Sequence, residues 1–544
     1  MEKHTLGIFI ITLLGLILRV LYINKPDGLW NDEYISWMIA AKPLFDGFWS
    51  GIKSQCHMPL YYLYLKFFMS IFGQSDIVLK LTSVLSGTLS IIIMYFTGLE
   101  KDKKTGLIAA LFTAISSFLI YYSQEVRFYS LLFLFAALSL WFTVRLVKNT
   151  NIKNLILLTL ANLLVIFTHT IGFVYVFFNL VYISFKLFKD YKKVIIKLWS
   201  IAAVIVLAAS PLIIKIFTTN SFSQWWASFS FSNWGFLLTD YFSPVLTNLV
   251  NAPANFFYNF HAGFVIFALL PALIAIFWIA YAVKKDKDNA MLLCAAAGVI
   301  IVMTIASLAG KLVFITKYSI EIYPVLLLLA AYGAASVSNK VLRNTLIILY
   351  CLIHVIYLTL SPVSAPKIRR AQGHKIAADL IKRAEPKEGD IVLIEYYQKD
   401  RFEKYIDFTG LNVITIDKGN FPEYLSQNMT YEKAVNEGKE VYRPTFQASV
   451  NGYLKEKINR EIISKLKQGQ SVILITLNSV AFYSPEQVSK IASDDSMYNK
   501  TPLLFLVFSH IKEQVARDFY DTLAVVRYES KGDWSAVKFT KLKK

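Results

Sequence analysis

Charge is scarce in this chain. Of 544 residues only 17% are Asp, Glu, Lys or Arg, while 56% are hydrophobic and 15% aromatic. A soluble chain of this length carries far more charge, about a quarter of its residues, so a soluble fold is excluded. Cysteine is nearly absent too. Cys56, Cys294 and Cys351 have no CxxC spacing, and two of them fall within apolar runs. Neither a disulfide framework nor a thiolate metal site is expected. No glycine-rich loop is built to cradle a phosphate, no basic-aromatic module to hold nucleic acid, and no internal repeat is apparent.

What the chain does have is long apolar runs, with a mean hydropathy of +0.48. Most approach the roughly 20 residues that cross a bilayer as a helix. About eleven spans are expected, near residues 6–23, 78–99, 105–122, 127–148, 153–168, 170–187, 194–216, 260–283, 290–309, 318–337 and 343–361. The first keeps Arg19 near its outer end and lacks a small-residue cleavage site, which reads as a retained span rather than a signal peptide. Short loops at 100–104, 147–153, 186–193, 284–288 and 339–343 concentrate Lys and Arg, and alternation puts them all on one side. That side is expected to be cytoplasmic, with the N-terminus inside and everything beyond about residue 362 outside. The net charge of +19 then needs no nucleic acid, because anionic lipid attracts the basic loops.

Three segments stand apart from the spans. The first outer loop, 24–77, has apolar residues at helical spacing and many aromatics, as short interfacial helices would. A second, 217–259, is rich in Trp, Phe and Ser and is expected to dip into the interface or cover a site. The tail, 362–544, alternates short β-like runs (389–397, 412–417, 471–479, 522–530, 534–542) with helical stretches (373–384, 485–495). That alternation predicts a small extracytoplasmic α/β domain following a membrane domain over 1–361.

Ionisable groups recur at the outer ends of the spans. "NDEYISW" brings Asp32 and Glu33, "CHMPLYY" brings His57, and "YYSQEVRFYS" brings Glu125 and Arg127. "THTIG" brings His169, and "FITKYSIE" brings Lys317 and Tyr318. Taken singly, each has a plain reading. Arg127 and Lys317 could snorkel to headgroups, His169 could be an interfacial polar residue, and His57 before Pro59 could belong to a helix start. Together they place charge from five outer turns at one level, which a site between bilayer and water requires.

"NDEYISW", "HMPLYYLYLKFF", "LKLTSVLSGTLSIIIMYFTG" and "SQEVRFYSLLFLFAALSLW" resemble, in order and spacing, the GT-C membrane glycosyltransferases related to protein O-mannosyltransferases and aminoarabinose transferases. Met58 replaces a family Pro and Val126 a family Ala. The resemblance is strong over about 6–180 and weaker to 361, where "TKYSIEIYPVLLLLAA" is similar to the family's basic-Tyr span. It implies a polytopic GT-C fold in the plasma membrane. It also implies transfer of a sugar from a polyprenyl-phosphate donor to an acceptor (protein, glycolipid or envelope polymer) at the outer face, with inversion. Asp32 would be the base, and Glu33 would orient it or contact the acceptor. His57, Tyr61, Arg127, Tyr129, His169, Lys317 and Tyr318 would bind substrate. No cofactor is certain, although Asp32, Glu33 and His57 could supply oxygen and nitrogen ligands to a divalent ion. A flippase or other transporter would instead show mid-membrane charges and paired broken helices. A ligase of lipid-linked saccharides would differ mainly in donor size, and a receptor built on the tail would leave the ordered motifs unexplained.

Overall fold

The structure is a computed structural model. It describes residues 3–25, 28–55, 58–218, 232–245, 265–309, 314–361, 364–367, 373–394, 399–415, 462, 464–477, 524–531 and 534–540. The chain forms two compact units: Met1–Asn24 with Asp32–Ile368, and Lys25–Asn31 with Arg369–Lys544.

The first unit is helical. Its elements begin with α1 (Lys3–Val20), α2 (Asn31–Ala41), α3 (Trp49–Gln55), α4 (Leu60–Phe72), α5 (Asp76–Leu99) and α6 (Lys103–Ile115). They continue with α7 (Ser117–Tyr122), α8 (Tyr129–Lys148), α9 (Ile152–Thr168), α10 (Gly172–Leu187), α11 (Lys192–Thr218) and α12 (Ser232–Phe242). After these come α13 (Leu270–Lys285), α14 (Lys287–Leu308), α15 (Tyr323–Ser336) and α16 (Lys340–Leu360). Among the described residues, 7 helices are long and apolar enough to cross a membrane, and shorter apolar helices lie at His4–Val20, Leu60–Phe72, Ile152–Thr168 and Gly172–Leu187.

Hydropathy located most of these helices, Leu60–Phe72 excepted, but not their interruptions. The run at 105–122 is not one rod: Ser116, at φ −58° and ψ 114°, ends α6, and its Oγ accepts from the Leu119 amide (3.3 Å) to start α7. A side chain that caps a new helix competes with the old ladder. The run at 318–337 opens as a tight 3-10 turn, Thr316–Ile322, before α15. The described part of 260–283 opens with a π-helical turn, Val265–Leu269.

Four of the helices that start from a basic loop start on an Asp or Asn. Asp102 accepts from the Lys104 and Thr105 amides (2.9 Å each), Asn151 from Asn154 (2.9 Å), Asp286 from Asp288 (3.0 Å) and Asn339 from Leu342 (3.0 Å). Such caps satisfy amides that the first turn leaves orphaned. The same loops are tied together: Lys101 meets Asp286 at 2.9 Å, Lys186 meets Asp288 at 2.6 Å, and Lys148 meets Glu100 at 3.5 Å. Lys104 also donates to the Ala335 carbonyl (3.1 Å). These loops therefore occupy one end of the bundle. Because Lys148 ends α8 and Ala335 lies near the end of α15, the opposite ends of those helices, at Tyr129 and Thr316–Ile322, lie away from the basic loops.

Small residues permit the close crossings. A Cβ on Gly98 would lie 2.8 Å from the Gly106 Cα, so α5 and α6 touch backbone to backbone. Between α8, α9 and α10 the adhesive is polar. Ser139 donates to Asn162 (2.7 Å), and Asn179 bonds Ser139 (3.1 Å) and Thr143 (2.9 Å).

The second unit carries a five-stranded sheet, β1 (Ile391–Ile394), β2 (Asn412–Thr415), β3 (Ser471–Leu477), β4 (Ala524–Lys531) and β5 (Trp534–Thr540), in the order β2-β1-β3-β5-β4. β1 runs parallel to β2 and β3, while β5 runs antiparallel to β3 and β4. A helix at His374–Arg383 packs Ile376, Leu380 and Ile381 on Val392, Ile394, Ile473 and Ile475. Each of the five β-like runs contains one of these strands. The helix expected at 485–495 lies outside the described residues.

Candidate active site

Asp32 and Glu33 occupy the first turn of α2, where the helix dipole favours carboxylates. Neighbours on a helix point about 100° apart, so the two acids diverge rather than crowd each other. Glu33 is buried, and its Oε1 accepts from the Val126 amide at 2.9 Å. Asp32 stays partly open, 26% exposed at its side chain, and its Oδ2 faces Arg127 Nη2 at 3.9 Å. One face of the acidic pair grips the 123–128 turn; the other meets a cation.

Arg127 is itself fixed. Its Nη1 donates to the Asp32 carbonyl (3.2 Å) and to Ser36 Oγ (3.2 Å). Ser36 sits one helical turn beyond Asp32 and donates to the same carbonyl (2.9 Å). Burial alone would lower the Arg127 pKa, yet the Asp32 charge, aided by nearby tyrosines, holds it above the ordinary value. The guanidinium therefore keeps its charge despite being buried.

Aromatic contacts bring in the remaining residues, with Phe128 at their centre. The Arg127 guanidinium lies over the Phe128 ring at 5.1 Å, and Tyr61 and Tyr129 pack against it at 6.3 and 4.5 Å. His169, which ends α9, stacks on Phe128 at 4.6 Å and faces Tyr318 at 6.2 Å. Lys317 Nζ lies 5.8 Å from the Tyr129 ring centre and 5.1 Å from that of Tyr318. Burial, with a smaller contribution from Arg127, lowers the His169 pKa to about 3, so the ring is neutral.

Asp32, Glu33, Tyr61, Arg127, Tyr129, His169, Lys317 and Tyr318 thus share one connected cluster. His57 lies outside the described residues. Among the described residues, four atoms of this cluster are buried without a hydrogen-bond partner: Tyr61 Oη, Tyr129 Oη, His169 Nδ1 and Arg127 Nε. Leaving such an atom unmet costs about 1–3 kcal/mol, and a polar ligand at the site would relieve it. Among the described residues no three His, Cys, Asp or Glu side chains converge as a metal site. Glu33 is turned to a backbone amide and Asp32 to Arg127, so the two acids do not present a shared ligand face.

Sequence reasoning missed two participants. Ser36 had no signal beyond its i+4 spacing from Asp32, and Phe128 none beyond its place in an aromatic-rich run. Glu321 carried such a signal, being an acid inside an apolar run, but among the described residues no hydrogen bond or ring contact joins it to this cluster. It is wholly buried, with neither carboxylate oxygen hydrogen-bonded among the described residues.

Residues 56–215, less than a third of the chain, match the family described as dolichyl-phosphate-mannose-protein mannosyltransferase. That stretch contains Tyr61, Arg127, Tyr129 and His169 but neither Asp32 nor Lys317. No curated protein matches the chain significantly by sequence. Among solved structures, the apo ArnT of Cupriavidus metallidurans aligns over 98% of both chains at 11% identity, with a TM-score of 0.54. ArnT of the same organism bound to undecaprenyl phosphate aligns at 11% identity over 98% of this chain and 97% of its own, with a TM-score of 0.47. An Archaeoglobus fulgidus oligosaccharyltransferase tethered to an acceptor peptide aligns at 12% identity over 93% of this chain and 72% of its own, with a TM-score of 0.46. By sequence over 56–215 and by fold over nearly its whole length, the chain is similar to the GT-C membrane glycosyltransferases of the protein O-mannosyltransferase and ArnT kind.

Proposed function

We propose that this protein is a membrane glycosyltransferase that moves a sugar from a polyprenyl-phosphate carrier to a hydroxyl-bearing acceptor. The acceptor oxygen attacks the anomeric carbon as the bond from that carbon to the phosphate oxygen breaks. Asp32 takes the hydroxyl proton, and the released phosphate keeps the bonding electron pair. A single displacement of this kind inverts the anomeric centre. The charge gathering on the phosphate meets Arg127, whose planar fork suits its oxygens, and Lys317, which acts as a point charge. Tyr61 and Tyr129 offer hydroxyl donors that no group among the described residues occupies. Glu33 anchors α2 to the 123–128 turn and so aims Asp32.

One observation carries this reading: a partly open carboxylate and a buried guanidinium face each other at 3.9 Å. Together they form a base and an anion-stabilising cation in one cluster. The donor class follows the name of the matched family. The cluster's position at the end of the bundle remote from the basic loops supports an outer-face site. The same charge asymmetry supports eleven spans, a cytoplasmic N-terminus and an extracytoplasmic domain beyond 361.

Purified protein incubated with radiolabelled polyprenyl-phosphate sugars and membrane extract tests the reading. Label should pass to an acceptor and free polyprenyl phosphate should accumulate. Absence of transfer from every donor would overturn it.

A further inference from the structure

Arg19 is an arginine in the apolar run of α1, fully buried, with no carboxylate as its partner among the described residues. A charge there is costly unless its protons are met. Here every guanidinium nitrogen donates. Nη2 bonds the Thr113 carbonyl (3.0 Å), Nη1 the Ala114 (3.1 Å) and Gly15 (3.0 Å) carbonyls, and Nε the Ser123 Oγ (3.1 Å). Thr113 and Ala114 lie in the last turn of α6, where the break at Ser116 leaves carbonyls without amide partners. The cation therefore sits at the negative end of a helix dipole and satisfies its orphaned oxygens.

The fourth bond reaches the site. Ser123 opens the turn that carries Val126, which holds Glu33, and Arg127, which faces Asp32. Ser123 Oγ also bonds the Leu119 carbonyl (2.6 Å) and Ser130 Oγ (3.3 Å). Gln124 Nε2 adds bonds to the Arg19 (3.0 Å) and Leu21 (2.7 Å) carbonyls. The space is reserved for this arrangement. A Cβ on Gly87 would lie 2.1 Å from Ser123 Oγ and 3.0 Å from Arg19 Nε, and one on Gly15 would lie 3.3 Å from Arg19 Nη1.

We propose that Arg19 is a positioning residue: its guanidinium locks the broken end of α6 to the 123–128 turn and so sets where Arg127 and the Glu33 anchor stand. Lys would keep the charge but not the planar fork that reaches four acceptors on three segments.

The test uses the full chain in lipid nanodiscs, comparing wild type with Arg19→Lys by hydrogen exchange of individual amides. Exchange within 123–128, Val126 included, should speed up about tenfold or more, while α8 and α14 keep their protection. This arm does not depend on the glycosyltransferase reading. The kinetic arm rests on it: with a donor that the wild type uses, Arg19→Lys should lower kcat about tenfold and leave the donor KM within about twofold. The losses from Arg19→Lys and Glu33→Gln should also fail to add in the double variant. If Arg19→Lys does not fold, Ser123→Ala, which cuts only the link to the turn, should give the same local pattern in weaker form. Unchanged exchange in 123–128, or a rise spread evenly over the bundle, overturns the proposal. A wild type inactive with every donor, combined with the local exchange change, overturns the function and leaves the positioning role standing.

Discussion

Asp32 and Glu33 are neighbours in sequence with opposite attachments, one open and facing a cation, the other buried against a backbone amide. Their substitutions should therefore fail differently. Glu33→Gln can still accept from the Val126 amide and is expected to cost transfer only modestly. Arg127→Ala removes a donor aimed at developing charge and should cost on the order of 3 kcal/mol, about a hundredfold in rate. Arg127→Lys should do less damage, and Lys317→Ala should also reduce transfer. Wild-type kinetics in both Ala variants would return these side chains to a headgroup-anchoring role. His169 gives a pH prediction. Its folded pKa of about 3 lies below the ordinary 6.5, so the unfolded chain binds the extra proton first. Its contribution to stability is present above the unfolded pKa and lost as pH falls toward the folded one. Between about pH 7 and about pH 5, wild-type melting temperature should drop, and His169→Phe should drop less. Parallel curves would mean that His169 is solvated.

At the scale of elements, apolar length was legible in the sequence, and so was the strand pattern of the tail. What hydropathy missed is where a helix breaks while remaining apolar. Ser116 is ordinary in composition; its role appears only once Arg19 and Tyr323, 97 and 207 residues away, are seen to bond the freed carbonyls and the Ser116 hydroxyl. The pairing of Asp32 with Arg127 is hidden for the same reason, since 95 residues separate them and no local pattern encodes which turn meets which. The motif order of the resemblance pointed to both residues without giving their geometry. Gly98 makes an element-scale prediction. Gly98→Val places a branched side chain where the Gly106 backbone sits 2.8 Å from even a Cβ. Overpacking of this kind costs about 1–3 kcal/mol, so thermal melting should fall while residual activity in the folded fraction is kept. An unchanged melting temperature would contradict the backbone contact between α5 and α6.

At the scale of the whole molecule, the basic loops gather at one end of the helical unit and the acid–cation cluster stands at the ends remote from them. The proposed lipid-linked donor would account for that placement, because its reactive bond would be held at headgroup level by a tail that stays in the bilayer. An impermeant label applied to intact cells should reach a cysteine placed beyond residue 362 and miss one placed in the 284–288 loop. The reverse pattern would invert the topology and put the cluster on the wrong side.

The central claim is that Asp32 receives the acceptor's proton, and Asp32→Asn tests it most directly. The substitution keeps the size of the side chain and removes the basic carboxylate, so the protein should fold and still bind donor lipid. Sugar transfer should fall by about a hundredfold or more. Transfer at the wild-type rate by a folded Asp32→Asn protein would contradict the account.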